Sequence, residues 1–212
     1  MARKEKPVTE DLVVYDLNDG EILAQYPPEL INTIKNTVAK GATNEELQLF
    51  MQTARMYNLN PFLEEIWFVK NKDGSCMTMT SRDGYLKIAK QNPNFKKCQS
   101  MVVYENDTFE IEMNMGEILN IHHKFSQNDR GKIIGAYAIL KTHSNDNLVC
   151  YCDFKEYNKN NNVWRKYPSA MIRKCAENDV LKRFAGICGI ASFEDAPANE
   201  QNLSENIIDI EI

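Results

Sequence analysis

Two short stretches of the chain place basic side chains beside aromatic ones: residues 82–87, which read Arg-Asp-Gly-Tyr-Leu-Lys, and residues 164–167, which read Trp-Arg-Lys-Tyr. Lys and Arg neutralise phosphate charges, and Tyr and Trp stack on bases; sequence-tolerant binding to a single nucleic-acid strand uses both. The two stretches therefore indicate a candidate binding surface, with Tyr85 and Trp164 as the stacking residues. Packing in the hydrophobic core is the alternative explanation for both rings.

The distribution of charge supports a polyanionic ligand more than the net charge does. The 212 residues sum to −5, but residues 193–212 hold six acids and no Lys or Arg, which leaves 25 basic and 24 acidic residues elsewhere. Residues 155–183 hold eight basic and three acidic residues, and residues 82–97 hold five basic and one acidic. Local positive fields of this kind attract polyanions. A solvated basic face is the alternative interpretation.

One group of acidic and basic residues would suit an enzyme. Asp153 and Lys155 lie two residues apart, a spacing that on a strand puts both side chains on one face, as a metal-dependent nuclease requires. Asp129 or Asp146 would then supply the second acid for the metal. We keep a nuclease as the less favoured alternative and predict no catalytic residue.

Other motifs for metal or nucleotide chemistry are missing. The pair Gly131-Lys132 lacks the upstream glycine of a phosphate-binding loop, so we predict no nucleotide hydrolysis and no cofactor. The six cysteines form no C-x-x-C pair, so a zinc site that combined them with His122 or His123 would be poorly spaced. The two histidines fall in an alternating strand pattern, which directs their rings to opposite faces.

The ends of the chain and its hydropathy predict a cytoplasmic protein. The first six residues are mostly charged and are followed by no apolar segment, unlike a secretion signal. The longest apolar stretch, Ile133 to Leu140, is too short to cross a membrane, so we expect no membrane partner. In this compartment the cysteines are expected to be reduced.

The spacing of apolar residues predicts an α+β domain over residues 28–192, between an irregular arm (1–27) and an acidic flexible tail (193–212). An N-terminal pair of helices is predicted, the first from about Glu29 to Gly41. The second begins at a capping box, in which Thr43 and Glu46 satisfy each other's backbone donors.

The middle of the chain has the short alternating runs of β-structure. A hairpin is predicted over residues 65–80, then a short helix capped by Ser81 or Asp83, then four or five strands over residues 95–154. We therefore expect a central antiparallel sheet packed against helices.

One closing helix is predicted from Pro168 or Ser169 to about Ala185, with Gly186 past its end. Its apolar residues change sides: one cluster lies over 171–176 and a second, nearly opposite, over 180–185. The basic pairs 173–174 and 182–183 would then face opposite directions on a straight helix. We expect a bend at 177–179, where helix propensity is weak, so that both pairs reach one groove. The alternative is a straight helix whose two pairs have different partners.

Three segments together resemble the RecT/Redβ (Bet) family of phage recombinases. They are the run Tyr57 to Phe62 with Glu65-Ile66-Trp67, the run Ser81 to Ile88, and the run Trp164 to Pro168 with Met171 to Lys174. They occur in order and with suitable spacing over about residues 30–192. The closing helix differs from the family pattern at Ala176 to Asp179, and the C-terminal region is short where larger relatives carry a partner-binding domain.

The resemblance implies ATP-independent binding of single-stranded DNA and annealing of complementary strands through a duplex intermediate. It also implies a homo-oligomer, as a ring or helical filament, with a phage exonuclease and a host single-strand-binding protein as partners. By motif position it implies a DNA groove lined by Lys40, Lys72, Arg82, Lys87, Arg165, Lys166, Arg173, Lys174, Lys182 and Arg183. The alternative in another class is a module that coats single strands and suppresses pairing.

Overall fold

The computed structural model describes residues 27–71, 73–114, 117–125, 128–192 and 194. The predicted arm before Pro27, the candidate residue Lys72 and the tail after Glu194 lie outside the described residues. None of the helices formed by the described residues is long and apolar enough to cross a membrane.

The described residues form six helices and eight strands. The helices are α1 (Pro28–Thr37), α2 (Asn44–Met56), α3 (Arg82–Gln91), α4 (Phe154–Tyr157), α5 (Asn162–Lys166) and α6 (Pro168–Ala185). The strands are β1 (Ile66–Lys70), β2 (Cys76–Thr80), β3 (Phe95–Tyr104), β4 (Thr108–Asn114), β5 (Glu117–Lys124), β6 (Ile133–Thr142), β7 (Asn147–Asp153) and β8 (Ala191–Ser192). This content confirms the predicted α+β class.

The predicted N-terminal helical pair is present as α1 and α2. Helix α2 begins with the predicted capping box, since the Thr43 hydroxyl accepts from the Glu46 amide and the Glu46 carboxylate accepts from the Thr43 amide. The two bonds satisfy donors that the first turn of a helix leaves open. Leu47 and Phe50 lie on the buried side of α2, and the Phe50 ring packs against Phe68 of β1.

The strands form three small sheets around this core. The central sheet is antiparallel with the strand order β3-β6-β7, and the hairpin β4-β5 forms a sheet of its own. The predicted hairpin β1-β2 is extended by β8, which pairs with β2 in parallel. The short strand β8 was not expected from the sequence, because two residues are too few to show a period.

Helix α6 occupies the centre of the molecule. It packs on one face of the central sheet, the inner face, and against α3. It runs without interruption from Pro168 to Ala185, and Gly186 follows in the left-handed conformation with φ of +61°, as predicted. The helix is not interrupted at 177–179, where a bend was predicted.

Helix α3 lies unusually close to the β1-β2 hairpin. A Cβ atom at Gly84 would lie 2.6 Å from the Glu65 carbonyl oxygen and closer still to the Thr80 hydroxyl. Gly84 is itself buried in the helix interior, where glycine normally costs stability. The close approach therefore explains why a helix-weakening residue occupies this position.

Replacing Gly84 with Ala should destabilise the protein by about 1–3 kcal/mol, because the added methyl group overpacks the contact with β2. Helix propensity alone predicts a change of the opposite sign, since Ala is the better helix former. Chemical denaturation of Gly84→Ala checks this, with Lys90→Ala, an exposed change on the same helix, as the control. An unfolding free energy equal to or above that of the wild type would contradict the packing argument.

Candidate nucleic-acid interface

The two aromatic rings predicted to stack on bases lie in the hydrophobic core. Tyr85 is 0% exposed and its hydroxyl donates to the Ile190 carbonyl at 3.1 Å. Trp164 is 1% exposed and its ring packs against Phe154. Since neither ring can reach a base, the prediction that they contact DNA was wrong and the core-packing alternative is correct.

The exposed aromatic residue of the second stretch is Tyr167. It ends α5 and precedes α6, its side chain is 50% exposed, and the ammonium of Lys166 lies 5.3 Å from its ring centroid. Arg165, on the same short helix, is exposed and donates from Nε and a terminal nitrogen to the Asn160 carbonyl at 3.0 and 2.9 Å. This region therefore offers two exposed cations and one accessible ring.

A single carboxylate joins α3, α6 and β3. Glu177 of α6 accepts a hydrogen bond from the Ser100 hydroxyl and lies 3.4 Å from Nε of Arg82. The Arg82 Nε is buried and makes no hydrogen bond, because its N–H does not point at the Glu177 carboxylate. Burial, with a further contribution from Glu177, raises the pKa of Cys98 to about 12, so that thiol stays protonated.

The neighbouring polar residues of α6 also have partners on other elements. Asn178 is 3% exposed and donates to the carboxylate of Glu194 at 2.5 Å. Asp179 accepts from the Cys150 thiol of β7 at 2.6 Å and pairs with Arg183 at 2.9 Å. Three of the four residues that depart from the family pattern in mid-helix thus fix α6 to β3, to β7 and to the C-terminal end of the domain.

Glu194, which was assigned from the sequence to the acidic tail, belongs to this core. Its side chain is 2% exposed. A buried carboxylate is costly unless it is hydrogen-bonded, and Asn178 supplies one of its bonds. Glu194 is therefore one acid that the sequence prediction assigned to the tail and the structure places in the core.

The two basic pairs of α6 have different surroundings. Arg173 and Lys174 precede Glu177 by four and three residues, which makes them its neighbours on the helix surface. Neither has an ion-pair partner among the residues that the structure describes, whereas Arg183 is bound to Asp179. The ion pair of Arg183 with Asp179 favours the alternative in which the two pairs have different partners over a single groove for all four charges.

Arg82, Arg173 and Lys174 therefore lie around one internal acid, and we call them the Glu177 cluster. Arg82 is half-buried and also lies 3.3 Å from Asp83, while Arg173 is exposed. Three cations and two acids, the half-buried Glu177 and the exposed Asp83, leave one net positive charge where α3 meets α6.

The remaining predicted cations are distributed over other parts of the domain. Lys87 bonds the Glu65 carboxylate at 2.6 Å, and the same oxygen accepts from the Asn60 amide at 2.7 Å. Lys87 thus fixes the turn before β1 and is only partly available to a ligand. Lys182 is half-buried with its ammonium 5.8 Å from the Tyr85 ring centroid, and Lys40 is exposed after α1.

The structure removes the arrangement on which the nuclease alternative depended. Strand β7 ends at Asp153, whose carboxylate caps α4 by accepting from the Lys155 amide at 2.8 Å. Lys155 is therefore helical and does not share a strand face with Asp153. Within the described ranges, no group of three or more His, Cys, Asp and Glu could hold a metal ion.

A buried ion network that was not foreseen from the sequence attaches the hairpin β4-β5 to the central sheet. Asp107, whose side chain is 1% exposed, lies 3.0 Å from Nε2 of His123 and accepts from Nε of Arg130 at 2.8 Å. The Arg130 guanidinium is stacked between the rings of Tyr104 and Phe125, at 4.1 and 4.0 Å from their centroids. The guanidinium of Arg130, assisted by His123, holds the pKa of Asp107 well below its ordinary range.

The adjacent histidines do face opposite ways, as predicted. His123 is buried in the network, while His122 is exposed on the other face. The Nε2 atom of His122 lies 3.0 Å from the side-chain amide nitrogen of Asn120. Asp107 and Arg130 lie in two different loops, at 105–107 and 128–131, which are joined by the hydrogen bond from the Asn106 amide to the Arg130 carbonyl. Sequence spacing carried no signal that they would meet.

Comparison with known proteins gives two matches. A family model described as the RecT family matches residues 24–207. Recombination protein bet of Escherichia phage lambda is 31% identical over 70 residues, which is 32% of this chain and 27% of that protein. The chain thus matches about a quarter of the length of this relative.

Replacing Asp107 with Asn should reduce the acid sensitivity of the fold. The pKa of Asp107 is lowered on folding, so its stabilisation is present above the unfolded value of about 3.9 and is lost as pH falls through the lower folded value. We expect Asp107→Asn to be destabilised by about 3 kcal/mol at pH 7, because Arg130 loses its partner, and the difference from the wild type to shrink progressively as pH falls below about 4.

Denaturation curves between about pH 2 and pH 7 measure this difference. Glu110→Gln, an exposed change on the same hairpin, is the control and should parallel the wild type. Equal losses on acidification in Asp107→Asn and wild type would show that Asp107 is not the titrating group.

Proposed function

This chain belongs to the RecT family, and from that premise we propose that it binds single-stranded DNA and anneals complementary strands without hydrolysing a nucleotide. The observation that carries the proposal is the Glu177 cluster, in which Arg82, Arg173 and Lys174 share one surface. Arg173 and Lys174 have no acidic partner within the described part of the chain, so both can neutralise phosphates. Arg165 and Lys166, on the helix before α6, are two further exposed cations.

Annealing needs no bond to be broken, so binding residues are sufficient. Two strands repel each other through their phosphates, and each strand folds on itself. A protein surface that neutralises one backbone removes much of the repulsion and holds the strand extended. If base edges stay exposed, a second strand can pair, and stacking supplies about 1.4 kcal/mol per base-pair step.

We further propose that the accessible aromatic contact is Tyr167, in place of the two buried rings. It stands between Lys166 and the first turn of α6, so a base stacked on it would have a cation beside its phosphate. Base–aromatic stacking contributes about 1–3 kcal/mol per base and is tolerant of sequence.

The assembly and partners of the protein are also proposals from family membership. We expect a homo-oligomer on DNA, as a ring or helical filament, and an exonuclease of the same phage that produces the single strands. A host single-strand-binding protein is the third expected partner. Oligomerisation would lengthen the segment over which pairing is tested. The free-energy cost of a few mismatches would then exceed the stabilisation that weak contacts provide.

Annealing is tested by mixing two labelled complementary strands with the protein in the absence of any nucleotide. Fluorescence transfer between the strands should rise faster with the protein than without it, at equal salt. A protein that binds both strands but slows their pairing would be a coating module, and the annealing proposal would fail.

Changing Arg173 and Lys174 together to Ala should weaken single-strand binding about equally for all sequences. Two lost phosphate contacts reduce the salt slope of the binding constant by roughly 1.4 for a single strand. The matched control is Lys182→Ala with Arg183→Ala, which removes the same charge from the other side of α6; we expect a smaller change because Asp179 already binds Arg183. Fluorescence anisotropy at several salt concentrations measures both slopes. Equal slopes in the two double variants would contradict the division between the pairs.

Replacing Tyr167 with Ala should weaken strand binding by about 1–3 kcal/mol, whereas Tyr167→Phe should bind like the wild type, because stacking needs the ring and not the hydroxyl. Anisotropy at one fixed salt concentration compares the three proteins. Thermal unfolding is the control, since Tyr167 is half exposed and its loss should change the melting temperature little. Equal binding by Tyr167→Ala and wild type would exclude Tyr167 as a stacking residue.

A further inference from the structure

Three lysines lie together on the face of the central sheet opposite α6, which we call the outer face. Lys97 of β3 and Lys141 of β6 are directly opposite each other in the antiparallel register, and both are exposed. Lys96, also exposed, is the extra residue of a β-bulge between Phe95 and Lys97. We call Lys96, Lys97 and Lys141 the lysine triad.

The bulge explains how two consecutive lysines come to point away from the helix layer. The Phe95 ring packs against Phe184 of α6 at 6.0 Å between centroids, and the Cys98 thiol lies close enough to Glu177 and Arg82 to feel their charges. In a regular strand, residues three apart face opposite sides. The extra residue lets both Phe95 and Cys98 face inward and leaves the two lysines between them on the outside.

The register places Lys141 on the same face. Its neighbours in β6, Leu140 and Thr142, are 0% and 3% exposed, so they point into the molecule and Lys141 points out. Directly opposite residues in an antiparallel pair have Cβ atoms about 4.5–5.5 Å apart, and like charges in that position destabilise a sheet. The fold thus keeps an unfavourable contact at its surface where neutral residues would be more stable.

Carboxylates within the described residues do not neutralise the triad. None of the three lysines has an ion-pair partner there, and the sequence has no acid between Asp83 and Glu105. The nearest acid beyond Lys141 is Asp146 in the β6-β7 turn, where its carboxylate accepts from the Ser144 hydroxyl at 2.9 Å. Asn147 of β7 pairs with Lys141 of β6 in the antiparallel register and is a neutral hydrogen-bond donor beside the triad.

We propose that the lysine triad is a second nucleic-acid contact surface, which binds the phosphate backbone of a strand other than the one held at the Glu177 cluster. Like-charged side chains that repel each other in the free protein are the arrangement that a polyanion stabilises on binding. The triad lies on the outer face of the sheet, whereas Glu177 bonds Ser100 on the inner face, so the two basic surfaces face away from each other across β3. The inference rests on the proposed function and adds to it a site for the second strand.

Capture of a second strand tests the proposal. The protein is first saturated with a labelled oligothymidine, and a second oligothymidine with a different label is then added, so that base pairing cannot contribute. The wild type should retain both labels in one complex. Lys97→Ala with Lys141→Ala should bind the first strand within about twofold of the wild type and lose most of the second, with a salt slope for second-strand capture lower by roughly 1.4.

The control removes the same charge elsewhere. Lys124→Ala with Lys132→Ala changes two exposed lysines outside the triad and should leave second-strand capture unchanged. Thermal unfolding should show that the triad variant is at least as stable as the wild type, because a like-charge pair has been removed.

The other outcomes overturn the inference in distinguishable ways. If the wild type binds one strand and never a second, or if the triad variant captures the second strand normally, the triad is not a second-strand site. If the triad variant loses the first strand as severely as the second, these lysines belong to the first-strand site. If the wild type binds no strand at all, the proposed function itself fails.

Discussion

Helix α6 is buried on opposite sides in its two halves, and the arrangement of charge in this protein follows from that constraint. Met171, Ile172 and Cys175 bury one side, and Val180 and Leu181 bury nearly the opposite one. A helix enclosed in this way can expose only a narrow strip in each half, and its four basic residues occupy those strips. Since the helix does not break, the first pair joins Arg82 around Glu177 while Arg183 of the second pair binds Asp179. The polar residues in mid-helix, which weaken helix propensity, are retained because each bonds a different element.

The segments that carry the family resemblance are, in this structure, mainly junctions of the fold. Glu65 receives bonds from Lys87 and from the Asn60 amide, and its carbonyl accepts from the Thr80 hydroxyl. Gly84 lets α3 approach that same hairpin, and Trp164 fills the core beside α6. A recurring motif of aromatic and basic residues can therefore mark the place where a helix joins a sheet. The contacts with a ligand are then made by neighbouring residues whose side chains the fold leaves exposed.

Local patterns in the sequence predicted four of the six α-helices and missed the short helices α4 and α5, and they did not predict the long-range pairings. The capping box at Thr43, the stop at Gly186 and the two opposed clusters on α6 all depend on residues a few positions apart, and each was predicted. The parallel pairing of β8 with β2, the burial of Glu194 and the network around Asp107 join residues that are far apart or in loops without a period. The bulge at Lys96 also required the pairing register, because the sequence alone predicts a regular strand there. For the proposed binding surface, composition indicated candidate segments but could not separate exposed rings from buried ones.

The acidic net charge is compatible with a polyanionic ligand because a ligand responds to where the unpaired charges lie and not to their sum. Glu46, Glu65, Asp107, Glu177 and Asp179 each face a basic side chain within the fold. An ion pair that is satisfied internally contributes little to the field outside, so a ligand responds to the charges that remain unpaired. Among the described residues these include Arg173 and Lys174 on the helical side, and Lys97 and Lys141 on the sheet side. Each internal pair removes one acid and one base, so the pairs leave the net charge unchanged, and the net charge does not describe the field at either surface.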